Sequence, residues 1–240
     1  DGLEDLYLGG AKHQAGQIFL QKRSGGFEAV LDSAFIKDRL SEDVDAAFFD
    51  ADGDARLDLY VVSGGNEFFG NAEPLRDRLY LNLGHGRFHK AEGMLPEIYA
   101  NGACVQPSDI DRDGDLDLFV GSRSVQWQYG VIPQSYLLIN DGRGRFVDEA
   151  ATRAPGLAQV GMVTDAVWAD LNKDSFAELI VVGEWMPITI FQNEDGRLIE
   201  ATQKYGLQNT HGWWNTIAAA DFNNDGFIDL VAGNLGLNTL

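Results

Sequence analysis

The sequence predicts an all-β fold, a β-propeller of four-stranded antiparallel blades, because three features recur in phase along its 240 residues. These features are an acidic loop, an apolar segment of strand length after it, and then a glycine-rich hairpin. The acidic loops begin at Asp50, Asp109, Asp170 and Asp221. Their period of about 50 to 60 residues has room for four strands, which is the size of one propeller blade.

Each period contains strand A, the acidic loop, strand B, a variable loop, strand C, a glycine turn and strand D. The apolar segments predict strand B over residues 57–62, 116–120, 179–182 and 228–231. Hairpins of strands C and D are predicted over residues 79–88, 137–146 and 188–198, with a looser copy over 17–27. Glycine supplies the positive φ that these tight turns require.

We expect one domain over residues 1–240, with repeats at roughly 1–43, 44–101, 102–160, 161–212 and 213–240. A truncated copy of the acidic loop opens the chain at Asp1, Gly2 and Asp5. The chain then holds strands B–D of one blade, three complete blades and strands A–B of another. About four blades in this chain predict a part of a larger ring, in which the two partial blades either merge or stay separate.

Composition excludes several classes of function. With 37 acidic and 18 basic residues the net charge is -19, which disfavours nucleic acid and anionic membrane surfaces as partners. The chain contains no apolar run of the ~18 residues that a membrane span needs, so we expect no membrane insertion. One cysteine, Cys104, excludes an internal disulfide framework and a cysteine-based zinc site.

The acidic loops predict calcium sites. Each has Asp at position 1, Asp or Asn at position 3, Asp at position 5 and an acid at position 9. Alternating oxygen ligands in a tight loop converge on one point, and Ca²⁺ prefers six to eight oxygens. We therefore predict about four Ca²⁺ per chain, held by Asp50, Asp52, Asp54, Asp58, Asp109, Asp111, Asp113, Asp117, Asp170, Asn172, Asp174, Glu178, Asp221, Asn223, Asp225 and Asp229.

An EF-hand and an ordinary turn are the two alternatives to such a calcium loop. An EF-hand needs its bidentate acid at position 12, where this chain has Val61, Val120, Val181 and Ala232, so the spacing excludes it. Asp and Asn also populate ordinary turns, but four in-phase copies of convergent carboxylates favour a cation. The loop at Asp50 has Gly53 at position 4 rather than glycine at position 6, and the loop at Asp170 has Ser175 there, so its occupancy stays open.

The two motifs together resemble the FG-GAP and VCBS repeat family, whose best-known members form the N-terminal propeller of integrin α chains. The resemblance rests on the D-x-[DN]-x-D-x-x-x-[DE] loop, the Leu-x-Val-x-x-Gly that follows and the Asn-x-Gly-x-Gly-x-Phe hairpin. It implies a calcium-stabilised, extracellular propeller, usually of seven blades, used in adhesion or ligand binding. The ending at residues 232–239 resembles bacterial secreted members, which implies a secreted, cell-surface or periplasmic location. No Gly-Ala-Pro element is recognisable.

A ligand is expected on the face opposite the calcium loops. In an up-and-down blade the A–B and C–D turns share one face, and the B–C loops lie on the other. The predicted B–C loops carry the aromatic residues Phe68, Phe69, Trp127, Tyr129 and Trp185. Aromatic side chains beside polar groups favour binding of a protein or a glycan, although large loops also fold aromatic residues inward.

We expect no enzymatic activity. The four histidines show no metal-ligand spacing beyond His85 and His89, which flank a predicted turn. Nucleophile motifs of the Gly-x-Ser-x-Gly kind and phosphate-binding glycine loops are absent from the sequence. Asp45 and Asp165 each lie five residues before an acidic loop, which favours a structural role in the repeat. The alternative is a carbohydrate-binding or polysaccharide-degrading propeller enzyme, which would need a paired acid and base.

Overall fold

A computed structural model describes residues 2–236, so Asp1 of the truncated first loop and residues 237–240 of the C-terminal motif lie outside the described residues. The described chain is built almost entirely of strands. They are β1 (Leu6–Leu8), β2 (Gln17–Gln21), β3 (Phe27–Val30), β4 (Glu42–Phe49), β5 (Asp58–Gly64), β6 (Arg78–Gly84), β7 (Arg87–Lys90), β8 (Asn101–Ser108), β9 (Asp117–Ser124), β10 (Tyr136–Asn140), β11 (Phe146–Asp148), β12 (Met162–Ala169), β13 (Glu178–Met186), β14 (Thr189–Asn193), β15 (Leu198–Glu200), β16 (Gly212–Ala220) and β17 (Asp229–Asn234).

Short helices occupy some of the connections. These are α1 (Ser33–Lys37), α2 (Ala150–Arg153) and two 3₁₀ turns at Glu73–Leu75 and Leu157–Gln159. Within residues 2–236 no helix is long and apolar enough to cross a membrane.

The strands form four antiparallel sheets in which neighbours in sequence pair with one another. The sheets contain β1–β3, β4–β7, β8–β11 and, in the last, β12–β15 joined to the hairpin β16–β17. The all-β prediction and the antiparallel order of strands within a repeat are confirmed. The hairpin departs from that order, because β16 pairs with the end of β13 through Trp213 and Gly212 opposite Glu184 and Met186.

The second strand of each complete repeat is longer than the sequence predicted. Strands β5, β9 and β13 begin at the position-9 acid and continue two to four residues beyond the predicted ends at 62, 120 and 182. The extensions contain glycine, serine and charged residues, whose sequence is typical of loops rather than strands. Trp185, predicted in a variable loop, therefore lies in β13 instead.

The hydrophobic core consists of layers between successive sheets. In β5, Leu59 and Val61 pack toward the β1–β3 sheet, while Tyr60 and Val62 pack toward the β8–β11 sheet. Successive side chains of a strand point to opposite faces, so a strand between two core layers is buried on both faces. This arrangement explains why all seven residues of β5 are buried.

The first strands of the repeats, β4, β8, β12 and β16, lie beside one another in sequence order. Asp45 Oδ2 accepts a hydrogen bond of 2.9 Å from the Val105 amide of the next first strand. Asp165 Oδ2 accepts hydrogen bonds from Thr216 Oγ1 (2.8 Å) and the Ile217 amide (2.9 Å). Asp45 thus joins one sheet to the next, and Asp165 joins β12 to the hairpin β16–β17 of the same sheet. Both contacts agree with the structural role expected for these acids.

Candidate metal centres

Each acidic loop turns through two left-handed residues, at positions 4 and 6, on either side of the position-5 Asp. The prediction placed the tight turn at position 6 alone. The φ angles at positions 4 and 6 are 77° and 64° for Gly53 and Ala55, 60° and 99° for Arg112 and Gly114, 63° and 74° for Lys173 and Ser175, and 61° and 84° for Asn224 and Gly226. Glycine adopts these angles without strain, at position 4 in the loop at Asp50 and at position 6 in the loops at Asp109 and Asp221. The loop at Asp170 has glycine at neither position and still adopts the same left-handed angles.

The position-1 Asp holds this turn through backbone amides. Asp50 Oδ2 accepts a hydrogen bond of 2.8 Å from the Ala55 amide, and Asp221 Oδ2 accepts one of 2.8 Å from Gly226. The loops at Asp109 and Asp170 make the same contact. These bonds are of the kind that Asp makes in ordinary turns, and they use only part of the acceptor capacity of the loops.

Two loops gather three carboxylates each. Oxygen atoms of Asp50, Asp52 and Asp58 lie within 4.8 Å of one another, and so do those of Asp109, Asp111 and Asp113. The Oδ1 atoms of Asp109 and Asp111 are buried and have no hydrogen-bond partner in the described chain. Buried carboxylate oxygens without donors are costly. An all-oxygen donor set with spare acceptors fits Ca²⁺.

Electrostatics in the loop at Asp109 favour uptake of positive charge. Burial raises the pKa of Asp117 to about 7, even though backbone amides of Asn140 and Ile110 donate to it. The pKa of Asp115 rises to about 6 through burial and the neighbouring carboxylate of Asp113. Asp115, at position 7, was not among the predicted ligands, which were taken from positions 1, 3, 5 and 9 alone. The run of five alternating acids in this loop was the signal for it.

The loops with asparagine at position 3 do not gather three acids among the described residues. Asn172 Nδ2 donates to Asp174 Oδ2 (2.8 Å) and to Glu178 Oε1 (3.0 Å). Asn223 Nδ2 likewise donates to Asp225 Oδ2 (3.0 Å). The amide groups thus occupy part of the space between the acids, and calcium in these two loops stays a prediction.

Arginine side chains compete for two of the predicted ligands. Asp54 is paired with Arg56 of the same loop and lies outside the cluster of three acids in that loop. Asp111 Oδ2 accepts a hydrogen bond of 2.7 Å from Arg153 Nη1, and α2 carries this arginine. Asp111 nevertheless belongs to its cluster of three acids, and its Oδ1 has no hydrogen-bond partner in the described chain.

Asparagines of the hairpins tie the two repeated motifs together. Asn140 Nδ2 donates to the Ala51 carbonyl, and Asn193 Nδ2 donates to the Ile110 carbonyl, both at 2.9 Å. Each carbonyl belongs to position 2 of the acidic loop in the preceding sheet. Asp117 Oδ1 in turn accepts the Asn140 amide at 2.9 Å. These contacts explain why loop and hairpin recur in phase. In the sequence they are indicated by the asparagines that end β10 and β14.

A second cluster lies at the other end of β13. Glu184 has a fully buried side chain, whose Oε1 accepts from Arg123 Nε (2.9 Å) and Nη2 (2.6 Å). Tyr129 donates to Glu184 Oε2 (2.6 Å), and Trp185 Nε1 donates to the Tyr129 hydroxyl (3.1 Å). Three of the predicted ligand-binding aromatic residues thus belong to one region, because Trp127 lies two residues before Tyr129.

The other two predicted aromatic residues lie elsewhere. Phe68 and Phe69 are in the connection between β5 and β6. Phe68 lies under Lys12, whose ammonium is 5.1 Å from the ring centre, and Phe69 is 74% exposed. Within residues 2–236 no hydrogen bond or ring contact joins either of them to Trp185.

Antiparallel sheets stacked face to face, with acidic loops in register, define a class of β-repeat protein. The chain belongs to the FG-GAP-like repeat family, whose profile matches residues 50–120 and 170–232, more than half of its length. It is 25% identical to cartilage acidic protein 1 of Xenopus tropicalis over 216 residues, which cover 83% of this chain and 32% of that protein. For the Homo sapiens protein the identity is 23%, with 83% and 31% covered.

The chain therefore spans about a third of the length of the curated relatives that it matches. Among solved structures, the V. cholerae biofilm matrix protein Bap1 matches with a TM-score of 0.42 and 18% identity. That match covers 80% of this chain and 29% of Bap1.

A change of pH tests the electrostatics of the loops. We expect metal-depleted protein to become more stable as the pH falls from about 8 to about 6. In the folded state Asp117 and Asp115 have pKa values of about 7 and about 6, above the ordinary value of 3.8. The folded state therefore binds more protons than the unfolded chain in this window, and acidification stabilises it. Urea midpoints at each pH check the sign, and a midpoint that falls on acidification would contradict it.

Proposed function

We propose that this chain is a stretch of calcium-binding β-propeller blades that acts outside the cell as a binding or adhesion module. The observation that carries the proposal is the pair of three-carboxylate clusters, with buried and unpartnered oxygens on Asp109 and Asp111. In such a protein, calcium at the acidic ends of the strands would stabilise the fold. The opposite ends of the strands would bind a protein or a glycan.

The stacking of the sheets supports a propeller. Strands β4, β8, β12 and β16 lie side by side, as the innermost strands of blades around an axis would. Each core layer is shared by two successive sheets, which is the packing expected between blades. The chain supplies about four blades of a larger ring, for which the family resemblance suggests seven.

Calcium would have a structural role in the loops. Asp109, Asp111 and Asp113 would hold one ion and Asp50, Asp52 and Asp58 another. The ion would neutralise convergent carboxylates and fix loops whose position-2 carbonyls are bonded to the next sheet. In the loops at Asp170 and Asp221, Asn172 and Asn223 would turn their amide oxygens toward an ion, which gives four Ca²⁺ in total.

An extracellular location agrees with this chemistry. Extracellular calcium modules bind with a Kd of about 10⁻⁴ to 10⁻³ M, which matches the calcium supply outside cells and not inside them. The curated relatives are named cartilage acidic protein, and this chain shares the acidity, with a net charge of -19.

Binding is favoured over catalysis at the opposite ends of the strands. The buried carboxylate there, Glu184, has both oxygens occupied by Arg123 and Tyr129, so it is not free to act as a general acid or base. Turnover of a polysaccharide by purified protein would overturn this choice in favour of a degrading enzyme.

Metal stoichiometry tests the proposal. After dialysis against millimolar calcium we expect up to four ions per chain, and one fewer in Asp113→Asn. The change removes one ligand charge and keeps the acceptor for the Asp115 amide. Asp141→Asn is the matched control, since Asp141 accepts amides in a hairpin turn outside both clusters. Absence of bound calcium in the unmodified protein, or an equal loss in both variants, would contradict the proposal.

A further inference from the structure

We propose that the aromatic patch around Trp185 binds a neutral sugar residue. The Trp185 patch consists of Arg123, Trp127, Tyr129, Glu184, Trp185 and Trp213. This inference deepens the proposed function in one respect only, since it takes this end of the strands as the ligand-binding end, and it does not require calcium.

Trp185 occupies a backbone position that suits glycine. In two of the other three repeats the residue seven places after the position-9 acid is a glycine with positive φ, Gly65 (91°) and Gly236 (65°), and in the β8–β11 sheet it is Ser124. Trp185 lies at the same place after Glu178 and has a φ of 63°. A bulky side chain in this region is strained, and such strain is concentrated at ligand-binding sites. The fold would be served better by glycine, so the indole itself needs an explanation.

Trp127 shows the same combination of strain and exposure. Its φ is 61°, and its side chain is 73% exposed. In the described chain the other non-glycine residues with positive φ are His13, Ala55, His85, Arg112, Lys173, Ser175, Asp195 and Asn224. Most of these belong to acidic loops or hairpin turns, where the chain reversal requires them. The two tryptophans are the aromatic members of the set, and both belong to the Trp185 patch.

Two exposed rings of the patch, those of Trp185 and Tyr129, are held in place before any ligand arrives. The rings of Trp185 and Trp213 are 5.0 Å apart at 50°. The bond from Trp185 Nε1 to the Tyr129 hydroxyl fixes the indole, while Trp185 and Tyr129 remain 45% and 63% exposed. A ligand that stacks on rings already in place loses little affinity to their ordering.

A polar anchor lies beside the rings. Arg123 and Glu184 occupy equivalent positions, six residues after the position-9 acid, in neighbouring sheets. Their ion pair fixes the guanidinium, whose side chain is still 54% exposed. Two hydrogen bonds to Glu184 leave the other N–H groups of Arg123 available to a ligand.

Charge selects a neutral ligand. The net charge of -19 disfavours an anionic polysaccharide, and Arg123 disfavours a cationic group, because Glu184 is already matched by the arginine. A pyranose offers an apolar C–H face to an aromatic ring and hydroxyl acceptors at its rim to Arg123.

A proline-rich peptide also packs on aromatic rings, but it needs a row of donors for its carbonyls. The Trp185 indole N–H and the Tyr129 hydroxyl hydrogen are already bonded within the protein.

The test uses the full chain in calcium buffer against neutral oligosaccharides of gluco, galacto, manno and xylo configuration. Binding is screened on an array and then titrated in solution. We expect Trp185→Gly to lose about tenfold to a hundredfold in affinity and to melt at or above the temperature of the unmodified protein, because glycine fits the backbone. Trp127→Ala tests a second ring. Phe222→Ala, an exposed aromatic residue in an acidic loop at the far end of the strands, is the control and should bind normally.

Several results would overturn the inference. They are no binding of any neutral oligosaccharide at millimolar concentration, equal binding by Trp185→Gly, or binding of a proline-rich peptide in place of sugar that Trp185→Gly abolishes. Melts of the same samples with and without chelator separate this inference from the proposed function. A calcium-dependent shift without sugar binding rejects the sugar site alone, and sugar binding without a shift rejects the calcium sites alone.

Discussion

Removal of calcium is expected to lower the melting temperature of this protein by many degrees. At a hundredfold excess over Kd each site contributes about 2.7 kcal/mol to the free energy of unfolding. Two sites alone would then supply about 5 kcal/mol, which is comparable to the whole net stability of a typical domain. Melts followed by circular dichroism, with calcium at about a hundredfold excess over Kd and after addition of chelator, measure the shift.

Variants of the ligand residues test whether calcium in the acidic loops causes that shift. The double variant Asp52→Ala and Asp113→Asn removes one carboxylate from each three-carboxylate cluster and should lose the part of the calcium-dependent shift that these two sites supply. Magnesium should not replace calcium, since it demands an octahedral site at shorter distances. Identical melting curves with and without chelator would mean that the acids are ordinary turn residues.

The second large effect is expected at a buried ion pair. Arg78 Nη2 lies 2.7 Å from Asp43 Oδ1, with side chains 3% and 4% exposed. Asp43 Oδ2 also accepts hydrogen bonds from the Tyr7 hydroxyl (2.7 Å) and the Gly10 amide (2.6 Å) of the first repeat. Asp43→Ala leaves the buried guanidinium without a charged partner, with only the Ser63 hydroxyl as acceptor, which costs about 3–5 kcal/mol. Urea unfolding in calcium buffer measures the loss.

An exposed pair is the control for that variant. Lys22 and Glu28 lie 3.0 Å apart with side chains 48% and 64% exposed. Glu28→Ala should cost no more than about 1 kcal/mol. Equal losses in the two variants would contradict the role assigned to burial. Replacing both Asp43 and Arg78 with leucine and methionine should restore part of the stability lost in Asp43→Ala.

Sequence periodicity was sufficient for the order of the strands within each repeat, because these strands pair with their neighbours in sequence. It did not indicate the pairing of β16 with β13. The ends of the strands could not be found in this way. Strand β13 continues through Gly183, Glu184 and Trp185, whose composition is typical of a loop, because its backbone pairs with β12 and β16. Their place in a strand follows from contacts between distant parts of the chain.

The arrangement of the metal ligands could likewise be predicted from the sequence only in part. The spacing of acids identified the loops, since alternation within nine residues is a local property. It could not show that Arg56 engages Asp54, or that Arg153 from a distant helix reaches Asp111. Nor could it show that Arg123 and Glu184 meet, because their contact depends on how two sheets stack. Pairing between repeats is set by tertiary structure.

The asparagine contacts between hairpins and preceding loops give the stack a direction. Each repeat that contains such an asparagine offers a donor on one side, and its own loop offers a carbonyl acceptor on the other. Units joined head to tail in this way keep the same junction wherever a copy is inserted or lost. Tandem duplication could therefore lengthen the array without any new kind of interface. Growth would stop only where the ring closes and the donor of the first repeat meets the acceptor of the last.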